Sequence, residues 1–140
     1  FNLGLFPKKF AGLQNLIWRH IENDVAIICA KLNDIYFEEF VPKNERLLYL
    51  RHKERKYGIG CIEEWKIEQQ ALLMELEKLL WYYEQMLSER NFLLDERPVF
   101  IDFDLYGILG MFLFTNHYKL PSAHNRLIEW HKRMDSIKLI

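Results

Sequence analysis

Two stretches of this chain, residues 12–37 and 62–86, contain no proline, and in both the apolar side chains recur at steps of three and four. That spacing is the period of an α-helix with one buried face. In the first stretch Leu13, Ile17, Ile21, Ile28, Leu32 and Ile35 share a register with Asp24, and Val41-Pro42 follows it. The residue before a proline is pushed out of the α region, so a long helix from Gly12 to Phe37 is expected to end there. In the second stretch Ile62, Trp65, Gln69, Leu72, Leu76, Leu79, Tyr83 and Met86 alternate strictly by three and four. Such a seam packs at a shallow angle against a neighbour, which predicts two long helices side by side and antiparallel.

The remaining elements follow from breakers and caps. Asn44 is placed to cap a shorter helix through Lys56, with Gly58 and Gly60 ending it in a left-handed conformation. Asn91 to Pro98 reads as a connector. The stretch Phe100 to Thr115 is apolar on nearly every side, interrupted by Asp102, Asp104, Gly107 and Gly110. It is expected in the middle of the bundle, with Gly107 and Gly110 letting another backbone approach. Leu120-Pro121-Ser122 then opens a final helix with Leu127, Trp130 and Met134 on one stripe. Only four Pro and six Gly interrupt a chain that is half hydrophobic, with ten Phe, seven Tyr and four Trp. The expected fold class is therefore all-α, a helical bundle of about five helices spanning residues 1–140 as one domain.

The formal charge of −1 gives no global field toward nucleic acid or an anionic membrane. Tyr106 to Phe114, the most apolar run, is about half the length of a membrane-spanning helix. Cys29 and Cys61 lack metal-ligand or CxxC spacing and make no disulfide framework, which suits a cytoplasmic protein. The sequence starts at Phe1 rather than Met with no signal-like run, and reads as cut from a longer polypeptide.

Several features invite a chemical role. Lys43 to Lys56 holds six Lys or Arg and two Glu, a pattern that fits a solvated helix face before it fits an acidic partner. His20, His52, His117, His124 and His131 form no HxxxH or HExxH pair, so no metal site is expected. Cys61 stands near a helix start, where a dipole would lower its pKa, but a lone cysteine with no recognisable base fits a structural role before a reactive one. Trp81-Tyr82-Tyr83 spans almost a turn, so its members cannot all face one core. Asp102 and Asp104 are two apart and cannot share a helix face as a carboxylate pair.

The stretch Phe92-Leu93-Leu94-Asp95-Glu96-Arg97-Pro98-Val99-Phe100-Ile101-Asp102-Phe103-Asp104-Leu105-Tyr106-Gly107 resembles the signature of glutathione transferase C-terminal domains, F-L-x-G-D-x-P-[ST]-x-A-D-x-x-L. Trp65 before it and Leu127-x-x-Trp130-x-x-Arg133-Met134 after it extend the resemblance over nearly the whole chain. The resemblance implies a glutathione-transferase C-terminal-domain-like bundle whose central helix begins with a capping box. Val99 stands where the family has Ser or Thr and can accept no hydrogen bond through its side chain. Asp102 remains to reach back to the Val99 amide, a structural capping role. Asp95-Glu96 replaces the family's Gly-Asp.

By the same resemblance, a thioredoxin-like N-terminal domain, absent from this chain, would bind glutathione as co-substrate through a Ser, Cys or Tyr. The helical part would wall the cleft for a hydrophobic electrophile and share in a homodimer interface. Asn15, Trp18 and Glu22, away from the apolar stripe of the first helix, are the candidate substrate-binding residues. No catalytic residue, metal or cofactor is expected in the chain itself, and the isolated chain is expected to be inactive. The alternative is a non-catalytic helical protein-interaction module.

Overall fold

The computed structural model describes residues 4–137; Phe1 and the other terminal residues lie outside them. Among the described residues there is no strand, and seven α-helical segments form five rods. α1 (Ala11–His20), a π-helical turn (Ile21–Val25) and α2 (Ala26–Asp34) make the first rod. α3 (Arg46–Tyr57) is the second. α4 (Cys61–Ile67) and α5 (Gln69–Met86) make the third, interrupted only at Glu68, across which backbone bonds of 3.0 and 2.9 Å continue. α6 (Phe100–Leu113) and α7 (Asn125–Asp135) are the last two.

The first and third rods are antiparallel, because Tyr83 late in α5 meets His20 at the end of α1 while Gln69 at its start meets Tyr36 beyond α2. α6 runs parallel to the first rod: Gln14 bonds the backbone of Ile101 at one end, and Tyr118 bonds that of Leu32 at the other. The core between the rods is built from Ile21, Leu32, Leu76, Leu80, Leu105, Leu109 and Phe112, closed by Leu127, Trp130 and Met134 of α7. That last stripe is the one its spacing predicts.

Three local expectations are corrected. Asn44 does not cap α3: residues Lys43–Glu45 form a 3₁₀ turn ahead of it, and Glu45 takes the N-cap position without a side-chain bond. Gly58, at φ 103°, ends α3, but Gly60, at φ 78°, serves instead as the left-handed N-cap of α4. α7 opens at Asn125 rather than at Ser122. Its Arg126 and Leu127 amides donate to the buried Glu84 carboxylate of α5, at 3.3 and 2.9 Å.

α6 is central on one side only. Ile101, Asp102, Leu105, Leu109 and Phe112 are buried, whereas Gly107 and Gly110 are exposed. Among the described residues no backbone approaches either glycine: a Cβ placed on them meets nothing within 4 Å. They share an outer row with Phe103 and Phe114, and at spacings of three and four that row faces away from the core.

The start of α6 shows how the lost half of the capping box is replaced. Val99 is itself buried in the core, and the Asp102 amide donates to its carbonyl oxygen at 3.0 Å. The Phe100 amide finds the carbonyl of Leu5 at 3.0 Å, and the Ile101 amide finds Oε1 of the buried Gln14 at 3.1 Å. A helix leaves its first amides unsatisfied; here segments distant in sequence accept them. Asp102 is fully buried and does more than cap. Its Oδ2 accepts from the Val99 amide at 2.8 Å, and its Oδ1 from the Leu93 amide and the Trp130 indole, both at 2.9 Å. One carboxylate thus ties the connector, the start of α6 and α7 together.

Candidate functional site

The candidate site lies at the π-helical turn of the first rod. The closing bond of that turn runs from the Ala26 amide to the Ile21 carbonyl, one residue longer than an α-helical bond. Val25, four residues after Ile21, continues the buried stripe, and Asp24 does not. Asp24 swings out beside His20, at the mouth of an open groove between the first and third rods of about 550 Å³. Single π turns inside α-helices recur at functional sites, and this one places three titratable residues within five positions: His20, Glu22 and Asp24.

Leu16, Ile17, Leu79, Tyr82 and Met86 give the groove an apolar lining. His20 and Tyr83 form its floor: the Tyr83 hydroxyl lies 2.6 Å from His20 Nδ1, and Tyr83 is only 1% exposed. Burial, with Asp24 and Asp104 adding to it, pushes the Tyr83 phenol well above its ordinary value. Among the described residues His20 Nδ1 is the one partner of this buried hydroxyl, so the O–H donates there rather than stay unpaired. The other ring nitrogen, Nε2, stands 3.8 Å from Asp24 Oδ2. Of Trp81-Tyr82-Tyr83, only Tyr83 enters the core, while the other two side chains are exposed as the span of the cluster requires.

On the opposite flank of the first rod, Glu22 meets Asp104 of α6. Burial, then a hydrogen bond and repulsion from Glu22, raises the Asp104 carboxyl from 3.8 to about 7, so that the pair shares a proton. Between about pH 4 and 7 the folded chain therefore holds a proton that the unfolded chain has released. Stability from this pair is complete at the acid end of that window and is lost as pH rises through it. Asp104→Asn is expected to raise stability at pH 8 by about 1 kcal/mol, a figure discounted for the pair's partial exposure. At pH 4 the two proteins should melt together. Calorimetric melting at both values checks this, and an equal offset at each pH would remove the shared-proton account.

Asn15 and Trp18, which with Glu22 were the predicted cleft residues, are both exposed on this same flank, Trp18 at 40%. None of the three lines the groove. No family model, curated protein or solved structure matches the chain. The site is accordingly read from its own geometry. The sequence reasoning passed over His20, Asp24 and Tyr83. The i,i+4 spacing of His20 and Asp24 was a readable signal, but Tyr83 lies 63 positions from His20 and only folding joins them.

The remaining candidates are quiet. The Cys61 thiol is buried, and desolvation followed by the nearby Glu54 charge pushes its pKa up, against the direction of a helix dipole. In the basic run, Lys53 pairs with buried Asp34 at 3.0 Å and Arg46 bonds the carbonyls of Val41 and Glu38. Arg51, Arg55 and Lys56 stay exposed. Among the described residues no three His, Cys, Asp or Glu gather as metal ligands would, and no helix is long and apolar enough to cross a membrane.

Proposed function

We propose that this chain is the helical part of a glutathione-transferase-like protein and supplies binding surface rather than reacting groups. The observation that carries the reading is the Asp102 carboxylate at the start of α6, in the position that the resemblance assigns to the capping acid. The outer row of α6 adds support. Gly107, Gly110 and Phe114, with half-buried Phe103 at the near end, present an exposed apolar face, and a thioredoxin-like domain is the partner proposed for it. Glu22 touches this helix through Asp104, so Asn15, Trp18 and Glu22 border the same face, where a hydrophobic electrophile would lie beside bound glutathione. A homodimer in the cytoplasm belongs to the same proposal.

A specific observation favours the second reading, an interaction module. α3 buries none of its residues and exposes Leu47 and Leu48 next to Arg51 and Arg55. Calorimetry with glutathione separates the two. The chain alone should show no saturable binding, since it has no donor set to hold the tripeptide or lower a thiol pKa. Joined to a thioredoxin-like domain it should conjugate model electrophiles. Sub-millimolar glutathione binding by the chain alone, lost on changing Trp18 or Glu22, would overturn this division of labour. Inactivity of the joined protein across several electrophiles would shift the reading to the interaction module.

A further inference from the structure

The groove at the π turn contains a donor and an acceptor that face each other without meeting. Because Tyr83 donates to Nδ1 of His20, the uncharged imidazole carries its proton on Nε2. Asp24 Oδ2 lies 3.8 Å from that nitrogen, beyond hydrogen-bond length, and the Asp24 carboxylate has no hydrogen-bond partner among the described residues. The Asp24 side chain is 57% exposed, and by turning outward it widens this gap enough for one small polar group to bridge the two partners. The bridging group must accept from Nε2–H and donate to the carboxylate. A hydroxyl does both. A carboxylate would only accept, and would face the Asp24 charge; an ammonium would only donate and leave Nε2–H unpaired.

The apolar lining defines the rest of the ligand. Leu16 and Ile17 from α1 oppose Leu79 and Met86 from α5, with the Tyr82 ring, 61% exposed, at the rim. Side chains of this kind, with a thioether and an aromatic edge, favour a flat ring. The groove's 550 Å³ is within the usual range for small-molecule sites. We propose that this groove binds a small phenol, its ring between Leu16, Leu79, Tyr82 and Met86 and its hydroxyl bridging His20 Nε2 and Asp24 Oδ2. Tyr83 acts as a positioning residue that holds the His20 tautomer. The site lies on the opposite flank from Asn15, Trp18 and Glu22, and the inference does not rest on the transferase reading.

The test uses the chain itself with 2-naphthol as probe, compared with naphthalene, 2-naphthoate and 2-naphthylmethylammonium. Binding is followed by chemical-shift changes in the protein. Two added hydrogen bonds should make 2-naphthol about tenfold tighter than naphthalene, with neither ion better than naphthalene. Asp24 is exposed, so Asp24→Ala should fold normally; it should reduce 2-naphthol to the naphthalene level and leave naphthalene unchanged. In Tyr83→Phe the ¹⁵N shifts of His20 should move from the Nε2–H form to a mixture of tautomers, with a partial loss of the hydroxyl advantage. The proposal is overturned if naphthalene binds as tightly as 2-naphthol, if Asp24→Ala leaves 2-naphthol affinity intact, or if the shifts fall away from His20, Tyr82 and Met86.

Discussion

Replacing Asp102 by alanine should lower the stability of the fold by about 3–5 kcal/mol, because each buried donor left without an acceptor costs roughly 1–3 kcal/mol and the costs overlap. Three such donors converge on this carboxylate: the amides of Leu93 and Val99 and the indole of Trp130. Capping alone, at about 1 kcal/mol, would predict a much smaller loss. Burial raises the Asp102 carboxyl above its ordinary value despite these donors, so the three bonds only partly offset the desolvation cost of the site. Asp102→Asn should fall between, since its amide nitrogen must face one of the N–H groups. Urea unfolding followed by tryptophan emission gives the numbers. A loss near 1 kcal/mol for Asp102→Ala would mean that the Leu93 and Trp130 bonds add nothing.

Glu84→Ala should cost about 2–3 kcal/mol, the second-largest effect expected in the chain. Glu84 is buried, and its two oxygens take the Leu127 and Arg126 amides at the start of α7. The N-cap residue of that helix, His124, makes no side-chain cap bond, so α5 caps α7 from outside. Glu84→Gln keeps one acceptor but turns an NH₂ toward an amide, and should recover only part of the loss. Combined with Asp102→Ala the cost should be less than additive, because both carboxylates hold α7 in place. Hydrogen exchange localises the effect: in Glu84→Ala the α7 amides should lose protection before those of α6. Uniform loss across all helices would argue against a local cap.

How much was legible in the sequence follows the range of each interaction. The two long rods were visible because helix formation and one-sided burial repeat every three to four residues. The stripe of Leu127, Trp130 and Met134 and the bond from Asp102 to Val99 were visible for the same reason, the latter spanning three positions. The corrections begin where a partner is remote. Val99 lacks a capping oxygen, yet Gln14, 87 positions from Ile101, supplies one. Asp102 was read as a local cap because Trp130, 28 positions on, had no sequence signal tying it to that carboxylate. Gly107 and Gly110 were read as a close helix contact because an all-round apolar helix implies full burial, while the described residues cover only one side of it.

The candidate site marks the boundary most clearly. An α-helical period places Asp24 on the apolar stripe, and nothing local in the residues around Ile21–Val25 announces the extra residue of a π turn. Ile21 and Val25 at the two ends of that turn are both fully buried, so the first rod keeps one buried face through it. Asp24 meets His20 through its i,i+4 spacing, whereas Tyr83 and Asp104 reach the two flanks only because separate rods pack together. By itself the sequence determined the class, the rods and the short-range caps, since those depend on neighbours within one helical turn. The tertiary structure alone decided the groove, the shared proton of Glu22 and Asp104 and the buried carboxylate network, since each joins groups that meet only when separate rods are packed together.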